Sequence, residues 1–235
     1  MCQLMNIKKH IPNSITCCNL ISGCIAIYFA FGRNFDMALM WIIIGATFDF
    51  FDGMVARLLH VSSPIGKELD SLADVITFGA APSTMIFSEL GVMAYPAALE
   101  PLRGVLPFAA YIMAAFSALR LAKFNLDTRQ ALGFIGLPTP ANALFWGALL
   151  VGASHLMESS PLWMLVVLAG VLVSSGLLVS EIPMFALKFK QWGWKENKVK
   201  YIFLITCIPL LAIFGVTGFA IIIAWYVILS LLVKK

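Results

Sequence analysis

Long apolar runs recur along the chain, separated by short polar stretches. Each run approaches the about 20 helical residues that cross a hydrocarbon core. The pattern predicts an all-α, polytopic transmembrane helical bundle of about eight spans, near 12–31, 36–58, 70–90, 105–124, 138–156, 161–180, 200–214 and 217–233. Residues 1–11 set Leu4, Met5 and Ile7 against Lys8 and Lys9, as expected of a short interfacial segment ahead of the first span. Pro12 and Asn13 then open that span, with Asn13, Ser14 and Thr16 suited to capping its N-terminus. The stretch 60–66, rich in serine, proline and glycine, predicts a tight turn between the second and third spans. No repeat or linker marks a boundary, so residues 1–235 are expected to form a single membrane domain.

Composition agrees with this pattern and sharpens it. The 235 residues are 61% hydrophobic and 12% charged, and the mean hydropathy is +0.93, far from the balance of a soluble domain, which is about a quarter charged. The polar start (Gln3, Asn6, Lys8, Lys9, His10) runs into a full span with no A-x-A-like cleavage site, so no cleavable signal peptide is expected. Placed between the spans, the positive charges divide unequally. Lys8, Lys9, Arg57, Lys67, Arg120, Lys123, Arg129, Lys188, Lys190, Lys195, Lys198, Lys200, Lys234 and Lys235 fall on one side, leaving Arg33 and Arg103 on the other. The positive-inside rule then puts both termini in the cytoplasm, in a cell (inner) membrane. The basic stretch 188–200, with Trp192 and Trp194, suggests a loop on the membrane surface near anionic headgroups, or a plain topology determinant. The five cysteines show no CxxC pair and read as packing residues, and the three histidines are scattered.

The exception to this apolar background is a group of four aspartates, in the pattern D-x2-D-G-x2-A-R-x8-G-x3-D-x3-D. Asp49 and Asp52, three apart, share one face of the second span with Ala56, and Asp70 and Asp74, four apart, share a face of the third. The intervening turn makes the two helices antiparallel neighbours and brings the pairs together near the cytoplasmic surface. Four like charges in a low dielectric need neutralising. Two divalent cations balance them, and oxygen-only ligands favour Mg2+ or Mn2+ over zinc. Gly53 and Ala56 remove bulk beside the carboxylates, and Arg57 adds a cation that could meet a phosphate. Gly66 clears space in the same way or merely serves the turn.

This arrangement, Asp49-F-F-Asp52-Gly53-M-V-Ala56-Arg57 followed by Gly66, Asp70 and Asp74, resembles the complete signature of the CDP-alcohol phosphatidyltransferase family. The resemblance implies a membrane helical bundle, a homodimer, that binds CDP-diacylglycerol at a two-metal site open to the cytoplasm. It implies that Asp49, Asp52 and Asp70 ligate metal, and that Asp74 also stands at the metal site as the general base. Gly53, Ala56 and Arg57 correspondingly border the CDP moiety, with Gly66 and Thr16 in the same CDP-lipid-binding group. An Asp74→Asn change is therefore expected to remove turnover more completely than CDP-lipid binding.

The signature specifies the donor better than the acceptor. Arg120-L-A-K-Phe124-Asn125 and Phe134-I-Gly136-Leu137-Pro138-T-Pro140-Ala141-N-Ala143 resemble segments of the bacterial and archaeal membrane-bound phosphatidylserine synthases within that family, and Pro12-Asn13-S-I-Thr16 is similar as well. A serine zwitterion needs a cation or amide donor for its carboxylate. Arg120 and Asn125, at the cytoplasmic end of the fourth span, are the serine-binding candidates; Arg120, Lys123 and Arg129 are alternatively no more than topology charges. Pro138 and Pro140 read as a helix-entry turn. L-serine is thus the expected acceptor, with glycerol 3-phosphate or inositol as alternatives. A second class of function, a divalent-cation or proton-coupled transporter, also places acidic residues in helices. It expects carboxylates near the bilayer midplane and a polar route onward, whereas these aspartates gather at one end.

Overall fold

A computed structural model describes residues 2–126, 134–185 and 193–232, with side chains omitted for residues 2–9, 134 and 194–196. Its helices are α1 (Cys2–Phe31), α2 (Phe35–Leu58), α3 (Pro64–Asp74), α4 (Ala81–Val92), α5 (Ile112–Leu126), α6 (Thr139–Glu158), α7 (Pro161–Val179), α8 (Trp194–Phe214) and α9 (Thr217–Leu232). A π-turn, Val75–Ala80, joins α3 to α4 without a break, so the elements form eight helical rods among the described residues. Six are long and apolar enough to cross a membrane: His10–Phe31, Phe35–Leu58, Pro64–Val92, Leu106–Leu126, Pro161–Val179 and Asn197–Phe214. The chain is a multi-pass membrane protein of the all-α class.

Its surface and interior follow from that medium. Tyr28, Leu58, Val173, Ile208 and Ile213 are exposed, as side chains facing lipid are and those facing water seldom are in such number. The rod Pro64–Val92 is the most buried of the six, because α1, α2, α5 and α6 all pack against it. Phe78, Met85, Ile86 and Leu90 from this rod meet Trp146 and Leu150 of α6 in the core.

Three local expectations change. Pro12 does not start the first helix: α1 is continuous from Cys2 to Phe31, so the N-terminal segment forms its first turns, while the apolar span within it, His10–Phe31, begins near the expected position. Asn13, Ser14 and Thr16 therefore cap nothing; Ser14 and Thr16 bond back to the carbonyls of His10 and Pro12, one turn earlier. The turn after α2 is shorter than expected, because Ser63 caps α3, accepting from the Gly66 N–H at 2.9 Å, and Pro64 takes the first position, where its missing N–H costs nothing. Gly66 thus belongs to the helix. Late in the chain, Trp194–Lys200 forms the first turns of α8, with a break at Asn197 (φ −119°), rather than a surface loop; the remaining basic positions Lys188 and Lys190, like Arg129, Lys234 and Lys235, lie outside the described residues.

Pro138 and Pro140 do form a helix entry, with Pro138 at the cap position of α6. The segment before it pairs with the segment after α7 in a two-residue antiparallel contact, β1 (Phe134–Ile135) with β2 (Pro183–Met184). Gly136 follows in the left-handed region (φ +75°), and a Cβ there would stand 2.7 Å from the Leu178 carbonyl oxygen. Glycine is required at this position by both conformation and space.

The end of the molecule remote from the aspartates is tied by charge. Arg33, in the α1–α2 turn with φ 55°, reaches Glu89 of α4 at 2.7 Å and also pairs with Glu158 at the end of α6. Glu89 is fully buried. Arg33→Ala would strand that carboxylate, and is expected to cost about 2 kcal/mol, below the about 3–5 of a fully buried pair because the arginine is partly exposed. Thermal unfolding of the purified variant in detergent measures the loss.

Candidate active site

Two helices joined by a short turn present the aspartates. At the end of α2 the chain reverses through His60, whose φ of 51° is stabilised by hydrogen bonds from His60 N–H to Arg57 O and from Val61 N–H to Ala56 O. Asp49, Asp70 and Asp74 converge: one carboxylate oxygen from each lies within 4.8 Å of the others. Asp52 stands beside this triplet, buried, and accepts a 2.5 Å hydrogen bond from the Thr16 hydroxyl. Among the described residues none of the four carboxylates is ion-paired with a lysine, arginine or histidine.

The expected picture of two neighbouring helices lacks one element. Helix α1 packs along both α2 and α3, and its polar residues Asn13, Thr16 and Asn19, three apart, run down the side that faces the aspartates. A cavity of about 200 Å³ opens between the three helices and the turn. It is lined by Asn13 and Thr16 of α1, Asp52, Gly53 and Ala56 of α2, and Gly66, Lys67 and Asp70 of α3 among others. The small residues make this space. A Cβ on Gly66 would lie 3.0 Å from both Asn13 Oδ1 and Ser63 Oγ, while one on Gly53 would meet only Arg57 Nη1, at 3.9 Å.

The other sequence candidates lie at graded distances from this centre. Thr16, Gly53, Ala56 and Gly66 all line the cavity. Arg57 is exposed at its rim and is not among the lining residues. Arg120 is buried at the end of α5, where its Nη1 donates to Thr139 Oγ1 at 3.4 Å and its guanidinium lies 5.5 Å from the Phe124 ring centroid. No carboxylate lies at ion-pairing distance from it among the described residues, although it is close enough to interact with the charge of Asp74. Asn125 ties α5 to α3: its side chain donates to Ser71 Oγ at 2.8 Å and its backbone carbonyl accepts from Lys67 Nζ at 2.9 Å.

Sequence reasoning passed over three residues here. Lys67, read only as a topology charge, borders the cavity and supplies it with a cation. Asn19 donates from Nδ2 to Asp74 Oδ1 at 3.3 Å, and Thr77, on the π-turn, donates to the Asn19 carbonyl at 3.0 Å. The three-residue spacing from Asn13 through Thr16 to Asn19 was a usable signal for Asn19. Nothing marked the π-turn that aims Thr77.

The donor set suits a hard divalent cation: oxygen atoms only, from carboxylates that converge with no ion pair to a basic side chain among the described residues. The cluster is therefore a candidate metal site, adjoining a cavity with a lysine at its edge.

Comparison with known proteins bears on the chemistry. The profile of the CDP-alcohol phosphatidyltransferase family matches residues 9–143, which include all four aspartates and the residues of α1 that face them. A CDP-diacylglycerol–serine O-phosphatidyltransferase of Bacillus subtilis (strain 168) is 40% identical over 132 residues, 56% of this chain and 70% of that protein. The protein of the same name from Helicobacter pylori (strain ATCC 700392 / 26695) is 34% identical over 200 residues, 82% and 79% of the two chains. That from Methanocaldococcus jannaschii is 32% identical over 220 residues, 92% and 90%. A match over more than half the chain, centred on the helices that build the carboxylate cluster, makes this protein a member of the CDP-alcohol phosphatidyltransferase family.

Proposed function

We propose that this protein transfers the phosphatidyl group of CDP-diacylglycerol to the hydroxyl of L-serine, forming phosphatidylserine and CMP. The observation that carries the reading is the cavity lined by Thr16, Asp52, Gly53, Ala56, Gly66, Lys67 and Asp70, which through Asp70 adjoins the carboxylate cluster that Asp70 forms with Asp49 and Asp74. The names of the relatives from three organisms support serine as the acceptor. Family membership sets aside the transport reading.

In this mechanism the cavity takes the cytidine diphosphate. Gly53, Ala56 and Gly66 let the ligand approach the helix backbones, and Lys67 and Arg57 offer cations to its phosphates. Asp49, Asp52, Asp70 and Asp74 would hold two divalent cations, Mg2+ or Mn2+, which when bound neutralise the pyrophosphate and polarise the phosphorus under attack. The serine hydroxyl oxygen forms a bond to the phosphorus of the phosphatidyl group, the bond from that phosphorus to the bridging oxygen breaks, and CMP leaves with the electron pair. Asp74 accepts the hydroxyl proton. Arg120, buried, on the Asp74 side of α5 and with no carboxylate at ion-pairing distance among the described residues, receives the serine carboxylate; Asn125 assists by holding α5 against α3. The distribution of positive charge supports a cell-membrane protein with its active site and both termini in the cytoplasm, where serine and the lipid donor meet. We infer a homodimer from the family resemblance.

An acceptor panel tests the assignment: CMP release from CDP-diacylglycerol measured with serine, inositol, glycerol 3-phosphate and choline in turn. Serine alone is expected to support release. Release with glycerol 3-phosphate or inositol instead would replace the acceptor and leave the family intact. Arg120→Gln is expected to raise the KM for serine by about 10–100-fold, the worth of a charge-assisted hydrogen bond, with the KM for CDP-diacylglycerol held within about twofold. An equal rise in both would remove Arg120 from the acceptor site.

A further inference from the structure

We propose that Asn19 is a positioning residue for Asp74, and that Thr77 and the two glycines Gly23 and Gly45 form the seat that holds it. This rests on the role of Asp74 proposed above, and concerns how that carboxylate is aimed.

Asn19 is fully buried, and its side-chain donor goes to one atom only, Asp74 Oδ1 at 3.3 Å. The bond to Oδ1 fixes the orientation of the Asp74 carboxylate and with it the direction of Oδ2. An amide suits this task because it supplies a donor without adding charge to a cluster that already carries four carboxylates. The opposite orientation of the amide would set oxygen against oxygen.

The seat comes from three helices. The wider π-turn begins one residue after Asp74 and contains Thr77, so it re-aims the chain immediately beyond the carboxylate; such turns are frequent at functional sites. Thr77, also fully buried, hydrogen-bonds the backbone carbonyl of Asn19 at 3.0 Å. Both neighbouring helices yield to it. A Cβ on Gly23 of α1 would fall 2.5 Å from Thr77 Oγ1 and 2.8 Å from its Cα, and one on Gly45 of α2 would fall 2.6 Å from Thr77 Cγ2 and 3.0 Å from Asn19 Oδ1. The absence of two side chains thus lets α1, α2 and the π-turn close on Thr77, which holds the backbone of the residue that bonds Asp74. A shift of the carboxylate by about 1 Å is enough to lose about 100-fold in rate, which is the use of so tight a seat.

Steady-state kinetics of the full chain in detergent–lipid micelles, with CDP-diacylglycerol, Mg2+ and serine, tests the proposal. Asn19→Ala is expected to lower kcat by about 10–100-fold with the KM for CDP-diacylglycerol within about twofold. Thr77→Ser keeps the hydroxyl and should keep kcat. Gly45→Ala should lower kcat, and Gly45→Ala combined with Thr77→Ser should regain part of the loss, because the serine removes the methyl group that the new Cβ strikes. Asn19→Leu fills the same space without the amide donor and separates aiming from packing even if Asn19→Ala fails to fold: it should lose kcat as the alanine variant does, and a kcat like the parent's in Asn19→Leu overturns the proposal. An unchanged kcat in Asn19→Ala, or no recovery in the double variant, overturns the proposal. A wild-type protein that releases no CMP with serine strikes instead at the function on which it rests.

Discussion

Asp74→Asn is expected to lower CMP release by about 10²–10⁴-fold, the contribution of a positioned general base, while CDP-lipid binding falls far less. The substitution preserves shape: the new side chain keeps an oxygen that can accept from Asn19 Nδ2, the present partner of Asp74 Oδ1. What it removes is a negative charge and the capacity to take a proton. The cavity where the donor is proposed to bind is lined by Asp52 and Asp70 but not by Asp74, so the binding surface survives the change. Turnover and the affinity for CDP-diacylglycerol, measured on the same preparation, separate the two effects. An equal loss in both would mean that Asp74 chiefly holds metal and that the proton goes elsewhere.

Chelation is expected to be as severe. EDTA should abolish CMP release, and Mg2+ or Mn2+ should restore it, because the oxygens of Asp49, Asp70 and Asp74 within 4.8 Å of one another are ion-paired with no lysine, arginine or histidine among the described residues. Asp49→Asn should raise the metal concentration for half-maximal activity by about 10–100-fold, the range that even a ligand's supporting partners command. The opposite result is also informative. Full activity in EDTA, with Asp49→Asn titrating like the parent, would show that the carboxylates neutralise one another by sharing protons instead.

How far the sequence alone carries the argument differs from one element to the next. The helix-entry role of Pro138 and Pro140 was legible because proline's fixed φ and missing N–H admit few positions. The helix start expected at Pro12 was not. The same residue lies inside α1, where a helix already committed by its apolar length, and packed against α2, tolerates it. Gly66 was recognised as space-clearing, yet whether it served a turn or a helix depended on Ser63 capping α3. Asn125 was read for its amide donors, and the structure sets that amide on Ser71, a partner 54 residues away that no local pattern discloses.

The spacing of Asp49, Asp52, Asp70 and Asp74 by itself determined that two pairs of carboxylates would each share a helical face, since the period of the α-helix is a local property of the backbone. Hydropathy determined the class of fold for the same reason: the bilayer acts on each span separately. Only the tertiary structure decided which oxygens meet. It grouped Asp49 with Asp70 and Asp74, turned Asp52 toward Thr16, and set α1 against both α2 and α3 so that a cavity remained between them. Those outcomes follow from glycines that allow close approach and from a π-turn that shifts the register after Asp74. Both act through distances between helices, and such distances have no counterpart in the order of residues along one chain.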